Sequence, residues 1–474
     1  MINNNSLYKI SIIISSIFTL FSVIYVTYVK NISVDELEHI QATFNIYYGM
    51  HPYRDFFEHH HGLMWYISAL ILAPYFNHEV ILFAIRTLVF TMYLLLLLSQ
   101  YKICRLLKLS PLKSLIALIL FSNIREMQYS AIEFRADTLM TSFFMFGIYY
   151  FLTYITSKKF KDIFISFIFF FLSFAVLQKI IISFMPIFFI IVYLLKNKQL
   201  ELTELLKATI IPFLLFLTYI AYLYSTGGLQ DYYESCWILN YMIKFTTFPH
   251  SIFYKIALTI GSISTLYVLL KHKNKISKIY AIITLFNNLL ILTVFPPYYP
   301  QYYIVPYSLN IITTTIFLSD IIDYKKINQI TISLLLIIIS ISLAVYNKTL
   351  EKSLSLPIQS KLIKHIIDNS SPTDYIIGNY YVGGVRRLAT GYYWFDFNTS
   401  SRVHQQLFPR RKFPDLNKII QRTKPKIIAS EGVIWYDCVD DEFKAIPCKI
   451  EQTLDKKSLE KDYTYNSFIY IRKY

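Results

Sequence analysis

Apolar residues fall in long runs over the first three quarters of the chain, separated by short polar segments. Runs of roughly 18 or more apolar residues can cross a bilayer as helices, so the pattern predicts an α-helical polytopic membrane protein with about eleven spans. We expect these spans at 8–29, 80–101, 112–128, 138–156, 163–177, 180–195, 206–224, 252–270, 279–295, 302–319 and 328–346. The first run is too long for a signal-peptide core and lacks a small-residue cleavage site, so we interpret it as a retained span.

Lysine and arginine are concentrated in every second loop between the spans. These loops are 102–113, 158–161, 196–198, 271–278 and 325–326. The positive-inside rule places them in the cytoplasm and the alternate loops and the C-terminal tail outside. The formal net charge of +16 lies mostly in these loops, and no basic recognition motif accompanies it, so we expect no nucleic-acid partner. The pattern is typical of a multi-pass protein of a bacterial inner membrane.

The tail from about Asn347 has frequent charges and apolar runs of strand length, at 374–384, 425–436 and 467–474. Amphipathic helices are expected at 357–369 and 414–422. Strands alternating with helices predict a small extracytoplasmic α/β domain over 347–474, after a transmembrane domain over 1–346. Cys438 and Cys448 stand ten residues apart in this tail, and they either form a disulfide in an oxidising compartment or remain two unpaired thiols.

The first predicted outer loop, 33–62, is unusually rich in charge and imidazole. It contains Asp35, Glu36, Glu38, Asp55, Glu58 and Arg54, together with His39, His51, His59, His60 and His61. Apolar residues at three- and four-residue spacing from Val34 to Tyr47 predict a short amphipathic helix lying on the membrane. Gly49 and Pro52 then break the helix, and 62–76 is expected to form a second interfacial helix.

Asp35 and Glu36 are the first candidates for chemistry. An adjacent acidic pair outside a membrane could supply a general base for an acceptor hydroxyl or bind a divalent cation. Ser33 followed three residues later by Glu36 also matches a capping box, and Asp35 would favourably meet the helix dipole. Both readings can hold, with Glu36 capping the helix while Asp35 points into a cavity.

Further candidates lie at the predicted outer ends of later spans. Arg135 and Asp137 either form a surface salt bridge or contribute an arginine that binds phosphate bidentately. Lys179 either snorkels to the interface or binds a phosphate. Tyr298 and Tyr302 either belong to the aromatic belt or line a substrate groove.

The histidine run 59–61 invites a metal interpretation. Three consecutive histidines on a helix point in different directions and do not readily converge on one ion, so we assign no metal ligands and expect polar contacts instead. A divalent cation remains a possible cofactor through the acidic residues. By predicted topology, Asp35, Glu58, Arg135, Asp137, Lys179 and Tyr302 are all expected at the outer membrane face. Carboxylates to activate an acceptor and cations to hold a phosphate favour transfer from a lipid-phosphate donor.

At these residues the chain resembles the GT-C superfamily of polytopic glycosyltransferases, in the branch of aminoarabinose transferases and dolichyl-phosphate-mannose protein mannosyltransferases. The matching features are DELEHIQATFNIYYGMHPYRDF after the first span, EFRADTLM at the fourth, and the dipeptide at 178–179. The resemblance covers about 1–346. It implies that Asp35 is the base, that the donor is a polyprenyl-phosphate sugar, and that transfer to a lipid, glycan or protein acceptor proceeds with inversion outside the cytoplasm.

One feature departs from the family pattern. Many members carry a Lys-Pro-Pro-like segment before the second interfacial helix, where this chain has FEHHHG at 57–62. The cation that contacts the donor phosphate is therefore open between Lys179, Arg135 and a histidine such as His59, and we add Arg54 and Glu58 to the expected substrate-binding residues. Two other functions stay open: a transporter or flippase of a lipid-linked saccharide, and a non-catalytic protein of the same fold.

Overall fold

The computed structural model describes residues 4–243, 252–294, 299–325, 329–349, 356–378, 385–389, 391–393, 399–412, 415–429, 433–439, 445–453, 463–466 and 469–472. Among these residues the α-helices are α1 (Asn4–Val29), α2 (Val34–Tyr47), α3 (Leu63–Leu72), α4 (Ile81–Leu106), α5 (Pro111–Ser122), α6 (Arg125–Ala131), α7 (Ala136–Ser157), α8 (Phe160–Val176), α9 (Met185–Lys196), α10 (Leu202–Ser225), α11 (Leu229–Tyr233), α12 (Asn240–Met242), α13 (Ile252–Lys271), α14 (Lys275–Val294), α15 (Ile304–Lys325), α16 (Gln329–Thr349), α17 (Leu356–Asp368), α18 (Thr399–Leu407) and α19 (Leu416–Thr423). The strands are β1 (Tyr375–Gly378), β2 (Arg387–Leu388), β3 (Ile427–Ala429), β4 (Val433–Val439), β5 (Ala445–Thr453), β6 (Tyr463–Asn466) and β7 (Ile469–Arg472). Short 3₁₀ segments at Ala73–Tyr75, Gln178–Phe184 and Pro300–Tyr303 and a π-helix at Glu234–Leu239 complete the described elements.

Seven helices in the described part of the chain are long and apolar enough to cross a membrane. They lie at Tyr8–Val29, Ile81–Leu106, Ala136–Ser157, Gln178–Lys196, Leu202–Ser225, Lys275–Thr293 and Pro300–Ile321. Each coincides with a predicted span. The remaining predicted spans also fall on helices, namely α5 with α6, α8, α13 and α16. The polytopic helical class is therefore confirmed, and the number of eleven crossings stays a prediction.

The contacts within the chain divide it into two units. We call the first the helical unit (Met1–Lys30, Val89–Leu215 and Thr247–Ser353) and the second the loop-and-tail unit (Asn31–Leu88, Phe216–Thr246 and Leu354–Tyr474). The sequence predicted one division at residue 346, and the contacts also place 31–88 and 216–246 with the tail.

Close contacts between α7 and α8 depend on small side chains. A Cβ added to Gly147 would lie 2.4 Å from the ring of Phe170, so the glycine permits this approach. Ser166 Oγ donates to the Gly147 carbonyl at 2.8 Å, and Ser173 Oγ donates to the Met140 carbonyl at 2.7 Å. Glycine and serine at a helix interface allow two apolar helices to pack and to hydrogen-bond where lipid offers no alternative partner.

Buried amides connect other helices of the helical unit. Asn288 of α14 and Asn310 of α15 exchange side-chain hydrogen bonds of 2.9 and 2.7 Å. The Asn347 side chain of α16 donates to Ser22 Oγ and Gln128 Oε1, both at 2.9 Å. Polar groups that find partners across helices fix which apolar faces pack together.

In the loop-and-tail unit, five strands form one mixed sheet in the order β2-β1-β3-β7-β6. Strand β1 is parallel to β2 and β3, whereas β7 is antiparallel to β3 and β6. Strands β4 and β5 form a separate antiparallel pair. The predicted tail helices correspond to α17 and α19, and the predicted strand segments contain β1, β3 and β7. Helix α18 was not predicted.

The predicted disulfide lies on the β4–β5 pair. The Cα register places Cys438 opposite Ile446 and Asp437 opposite Lys449. The side chains of Cys438 and Cys448 lie outside the described part of the structure, so the disulfide stays a prediction.

Helix α2 begins with the predicted capping box. The Ser33 N–H donates to Glu36 Oε2 at 2.9 Å, and the Glu36 N–H donates to Ser33 Oγ at 3.4 Å. On the polar side of the helix Glu38 and His39 are buried and Asp35 is exposed, and the predicted position of the helix on the membrane stays a prediction. The burial of Glu38 and His39 is possible because polar groups of the same unit pack around them.

The tail contributes to the packing around α2. The Gln359 side chain of α17 accepts from the Ile32 N–H at 2.6 Å and donates to the Ile32 carbonyl at 2.9 Å. Gln41 Nε2 donates to the carbonyl of Arg386 at 3.0 Å. The segment before α2 and its buried face are thus tied to the tail by hydrogen bonds.

A buried histidine on α18 makes the packing of the tail sensitive to acid. His404 is fully buried against Phe57 and Phe408, and its Nδ1 lies 2.9 Å from the Tyr393 hydroxyl. Burial lowers the pKa of His404 to about 4, and the Asp231 carboxylate opposes this only partly. Protonation therefore favours the unfolded chain.

We expect stability to be lost as the pH falls from about 6.5 towards 4, by roughly 3 kcal/mol for this one group. His404→Gln keeps a polar partner for Tyr393 but cannot titrate, so its thermal unfolding midpoint should fall less between pH 7 and 4.5. The exposed His78→Gln variant should retain the wild-type dependence. If the unfolding midpoints of the wild type and both variants depend equally on pH, His404 is not the group that makes the protein sensitive to acid.

Candidate active site

The start of α7 forms a buried charged cluster in the helical unit. Arg135 is extended (φ −130°, ψ 154°) and ends the preceding loop, and Asp137 lies in the first helical turn, where the dipole favours a carboxylate. Lys179 Nζ lies 2.5 Å from Asp137 Oδ1, and Arg135 Nε lies 3.6 Å from Asp137 Oδ2. Because the Asp137 side chain is only 5% exposed, its charge depends on these cations.

A cavity lies beside this cluster, within the helical unit. Its walls are mostly apolar, and the charged and polar groups lie among them. The lining residues are Asp137, Met140, Lys179, Ile180, Ile182, Ser183, Asn287, Leu290, Ile291, Gln301, Tyr302, Val305 and Pro306. Lys179 Nζ lies 4.2 Å from the centroid of the Tyr302 ring, a cation–π contact.

This arrangement suits an amphiphilic anion. Lys179 and Arg135 place two cationic groups beside the Asp137 carboxylate at the edge of the cavity. Lysine and arginine hold phosphate oxygens through charge-assisted hydrogen bonds. The aliphatic wall can contact a hydrocarbon chain attached to the same phosphate.

The structure brings together four residues predicted from separate parts of the sequence: Arg135, Asp137, Lys179 and Tyr302. Their convergence needed the packing of the start of α7 with the 3₁₀ segments Gln178–Phe184 and Pro300–Tyr303, which sequence patterns do not supply. The predicted Tyr298 lies outside the described residues.

At the start of α2, Glu36 and Asp35 have different surroundings. Glu36 is fully buried, and its Oε1 and Oε2 accept from Arg86 Nη1 and Nη2 at 2.5 and 3.3 Å. Arg86 Nη2 also donates to the Asn31 carbonyl at 2.8 Å. The capping box and Arg86 thus occupy both oxygens of Glu36, which favours a positioning role, whereas Asp35 is exposed.

Arg86 was not predicted as a site residue, although the sequence held a signal for it. It is an isolated arginine within the second predicted span, where a charge is costly unless it is paired.

The segment after α2 places Arg54 at the surface. Arg54 pairs with the adjacent Asp55 at 2.7 Å, and its side chain is 41% exposed. Asp55 also accepts from the His51 N–H at 2.7 Å. The predicted contact of Arg54 with substrate stays a prediction.

Residues 57–61 are not helical, and this changes the geometry of the histidine run. His59 Nδ1 lies 3.8 Å from Glu38 Oε1, and His60 Nδ1 lies 3.5 Å from Glu58 Oε2. His61 lies apart from this group, with its Nε2 at 2.9 Å from the Tyr232 hydroxyl. The argument that consecutive histidines diverge assumed a helix and does not apply to this loop.

Glu58 is the most deeply buried member of this group. Burial raises the pKa of Glu58 well above its ordinary value, and the nearby Glu38 carboxylate raises it further. Glu38, Glu58, His59 and His60 each offer one ligand atom within 4.8 Å of the others, so these four residues could hold a metal ion.

A second charged group in the loop-and-tail unit was not predicted. Arg410 donates to Glu234 Oε1 at 2.6 Å and to Asp231 Oδ1 at 2.7 Å, and Arg411 donates to Asp231 Oδ2 at 3.0 Å. Glu234 begins the π-helix. These pairs tie the segment after α18 to 229–239, and the separation of some 180 residues hides them from sequence patterns.

The polytopic helical fold that the sequence predicted is shared with solved structures of ArnT. It is similar to the crystal structure of ArnT from Cupriavidus metallidurans bound to undecaprenyl phosphate, with a TM-score of 0.57 and 10% sequence identity over 97% of each chain. The apo structure of the same ArnT gives a TM-score of 0.55 and 11% identity over 90% of this chain and 93% of that one. No protein-family model and no curated protein matches the sequence. At such low identity the likeness concerns the fold of an integral membrane protein.

The buried Arg86–Glu36 pair and the exposed Arg54–Asp55 pair test how burial changes the contribution of an ion pair to stability. Arg86→Ala leaves Glu36 buried without its cation and should destabilise the protein by about 3–5 kcal/mol. Arg54→Ala removes an exposed pair and should change the stability much less. Thermal unfolding of both variants in the same detergent checks the difference, and similar shifts in the two midpoints would contradict it.

Proposed function

We propose that the protein is a glycosyltransferase that moves a sugar from a polyprenyl-phosphate donor to a hydroxyl acceptor with inversion, on the extracytoplasmic face of the membrane. The acceptor is a cell-envelope glycan, lipid or protein. The observation that carries the proposal is the cluster of Arg135, Asp137, Lys179 and Tyr302 beside an apolar cavity. Cations next to an aliphatic wall match a phosphate joined to a hydrocarbon chain.

The proposal gives each group a chemical role. The Asp35 carboxylate accepts the proton of the acceptor hydroxyl, whose oxygen attacks the anomeric carbon. The bond between that carbon and the phosphate oxygen breaks, and its electron pair leaves with the polyprenyl phosphate. Lys179 and Arg135 stabilise the charge that develops on this leaving group. One displacement at the anomeric carbon inverts its configuration.

The donor in the proposal agrees with the fold comparison, since the similar ArnT structure was solved with undecaprenyl phosphate. Asp35 is the base because it is the exposed carboxylate of the acidic pair, whereas Glu36 is engaged by Arg86.

Asp35→Asn keeps the size of the side chain but removes its basicity, so transfer should fall by about 10²–10⁴-fold. The assay follows release of polyprenyl phosphate from a panel of polyprenyl-phosphate monosaccharides in reconstituted membranes. Asp368→Asn, at an exposed carboxylate of α17, is the matched control and should retain wild-type transfer.

Full transfer by the Asp35→Asn protein would remove Asp35 as the base. If the wild type moves the lipid-linked sugar across the liposome membrane and transfers no sugar to any acceptor tested, the protein is a flippase and not a glycosyltransferase.

The phosphate-binding role is tested with a variant that keeps the buried charges balanced. Lys179→Gln combined with Asp137→Asn removes the cation and its carboxylate together, and it should weaken binding of polyprenyl phosphate at least about tenfold. Lys364→Gln combined with Asp368→Asn removes an exposed pair on α17 and serves as the control. Native mass spectrometry of the bound lipid reports both affinities, and equal values would contradict the role of Lys179.

A further inference from the structure

Two carboxylates and two imidazoles converge in the loop-and-tail unit, on α2 and on the loop that follows it. Glu38 comes from α2, and Glu58, His59 and His60 come from the loop. Their ligand atoms all lie within 4.8 Å of one another. The side chains of His59 and His60 are only 12% and 20% exposed, so the group lies largely away from bulk water.

The spacing is close to that of a tetrahedral zinc site. Bonds of about 2.0–2.1 Å to nitrogen or oxygen place neighbouring ligand atoms of a tetrahedron about 3.4 Å apart. The His60–Glu58 separation is 3.5 Å and the His59–Glu38 separation is 3.8 Å. Both are longer than an ordinary N–H···O hydrogen bond, and all four ligand atoms lie within 4.8 Å of one another, so the side chains need to close together to bind one ion.

Glu58 supplies a second and independent observation. The residue is fully buried, and among the residues that the structure describes its Oε1 atom has no hydrogen-bond partner. A buried carboxylate oxygen without a donor is costly. A divalent cation bound by the Glu58 carboxylate would compensate for its burial and cancel the charges of both carboxylates.

The loop is held so that its histidine rings face Glu38 and Glu58. The Tyr53 hydroxyl donates to the His60 carbonyl at 2.6 Å, and Asn240 Nδ2 donates to the His59 carbonyl at 2.9 Å. The His59 N–H donates to Glu58 Oε2 at 3.2 Å. Such outer contacts orient ligands in metal sites and reduce the entropy lost on binding.

We propose that Glu38, Glu58, His59 and His60 bind one zinc ion. Two imidazole nitrogens with two carboxylate oxygens suit Zn²⁺, whereas Mg²⁺ and Ca²⁺ prefer oxygen ligands alone. The ion fastens the loop to α2, the helix that also carries Asp35 and Glu36. The four ligands differ from Asp35, Lys179 and Arg135, the residues to which the proposed transfer reaction assigns its chemistry.

The test measures metal directly. The full-length protein, purified in detergent and stripped with a chelator, is titrated with Zn²⁺ against a chromophoric competitor, and its metal content is measured by mass spectrometry. We expect about one Zn²⁺ per chain and no displacement by excess Mg²⁺. Co²⁺ in the same site should give the intense visible absorption of four-coordinate cobalt.

Glu38→Gln and His60→Ala should each weaken Zn²⁺ binding at least about tenfold. His78→Ala, which changes an exposed histidine of the same unit, should bind as the wild type does. Glu38→Gln is nearly isosteric and preserves the fold even where the alanine variant does not, and circular dichroism verifies both.

Wild-type affinity in a folded Glu38→Gln protein would overturn the proposal, as would a folded wild type that binds no Zn²⁺. Loss of sugar transfer in the Asp35→Asn protein with Zn²⁺ still bound separates this site from the proposed function.

Discussion

A carboxylate placed among apolar helices must have cations beside it, and this constraint organises the candidate site of the helical unit. Asp137 opens α7 in nearly complete burial, so Lys179 and Arg135 lie within reach of its two oxygens. The charge of Asp137 in turn stabilises these two cations, because burying either of them without a carboxylate would cost free energy. The cavity thereby has a fixed positive group in an apolar wall.

The same constraint acts in the loop-and-tail unit through different partners. Glu36 is buried with Arg86, and Asp231 and Glu234 pair with arginines of the tail. Each pair joins segments distant in sequence, so the unit is held by charge as well as by apolar packing. Breaking one partner of such a pair leaves an uncompensated charge, which makes the unit depend on each of these contacts.

Much of the fold could be predicted from local patterns. Long apolar runs gave the helices, and Ser33 with Glu36 gave the capping box of α2, since both signals depend on residues close in sequence. The pairing of Glu36 with Arg86 and the grouping of Glu38 with His59 could not be predicted, because they depend on how distant segments pack. The histidine run was assumed to be helical, and this assumption also hid the convergence of His59 and His60 on the two glutamates. In an irregular loop, neighbouring side chains can point to the same side.

The 3₁₀ conformation of Gln178–Phe184 gives the cavity an unusual wall. In a 3₁₀-helix, side chains three residues apart are eclipsed and stand in straight rows. Lys179 is therefore aligned with Ile182, and Ile180 with Ser183, and all four line the cavity. In an α-helix, residues three apart are offset by about 60° around the axis and do not stand in such straight rows. Each row thus presents one polar and one apolar side chain to the cavity, the complement of a molecule with a charged head and a hydrocarbon tail.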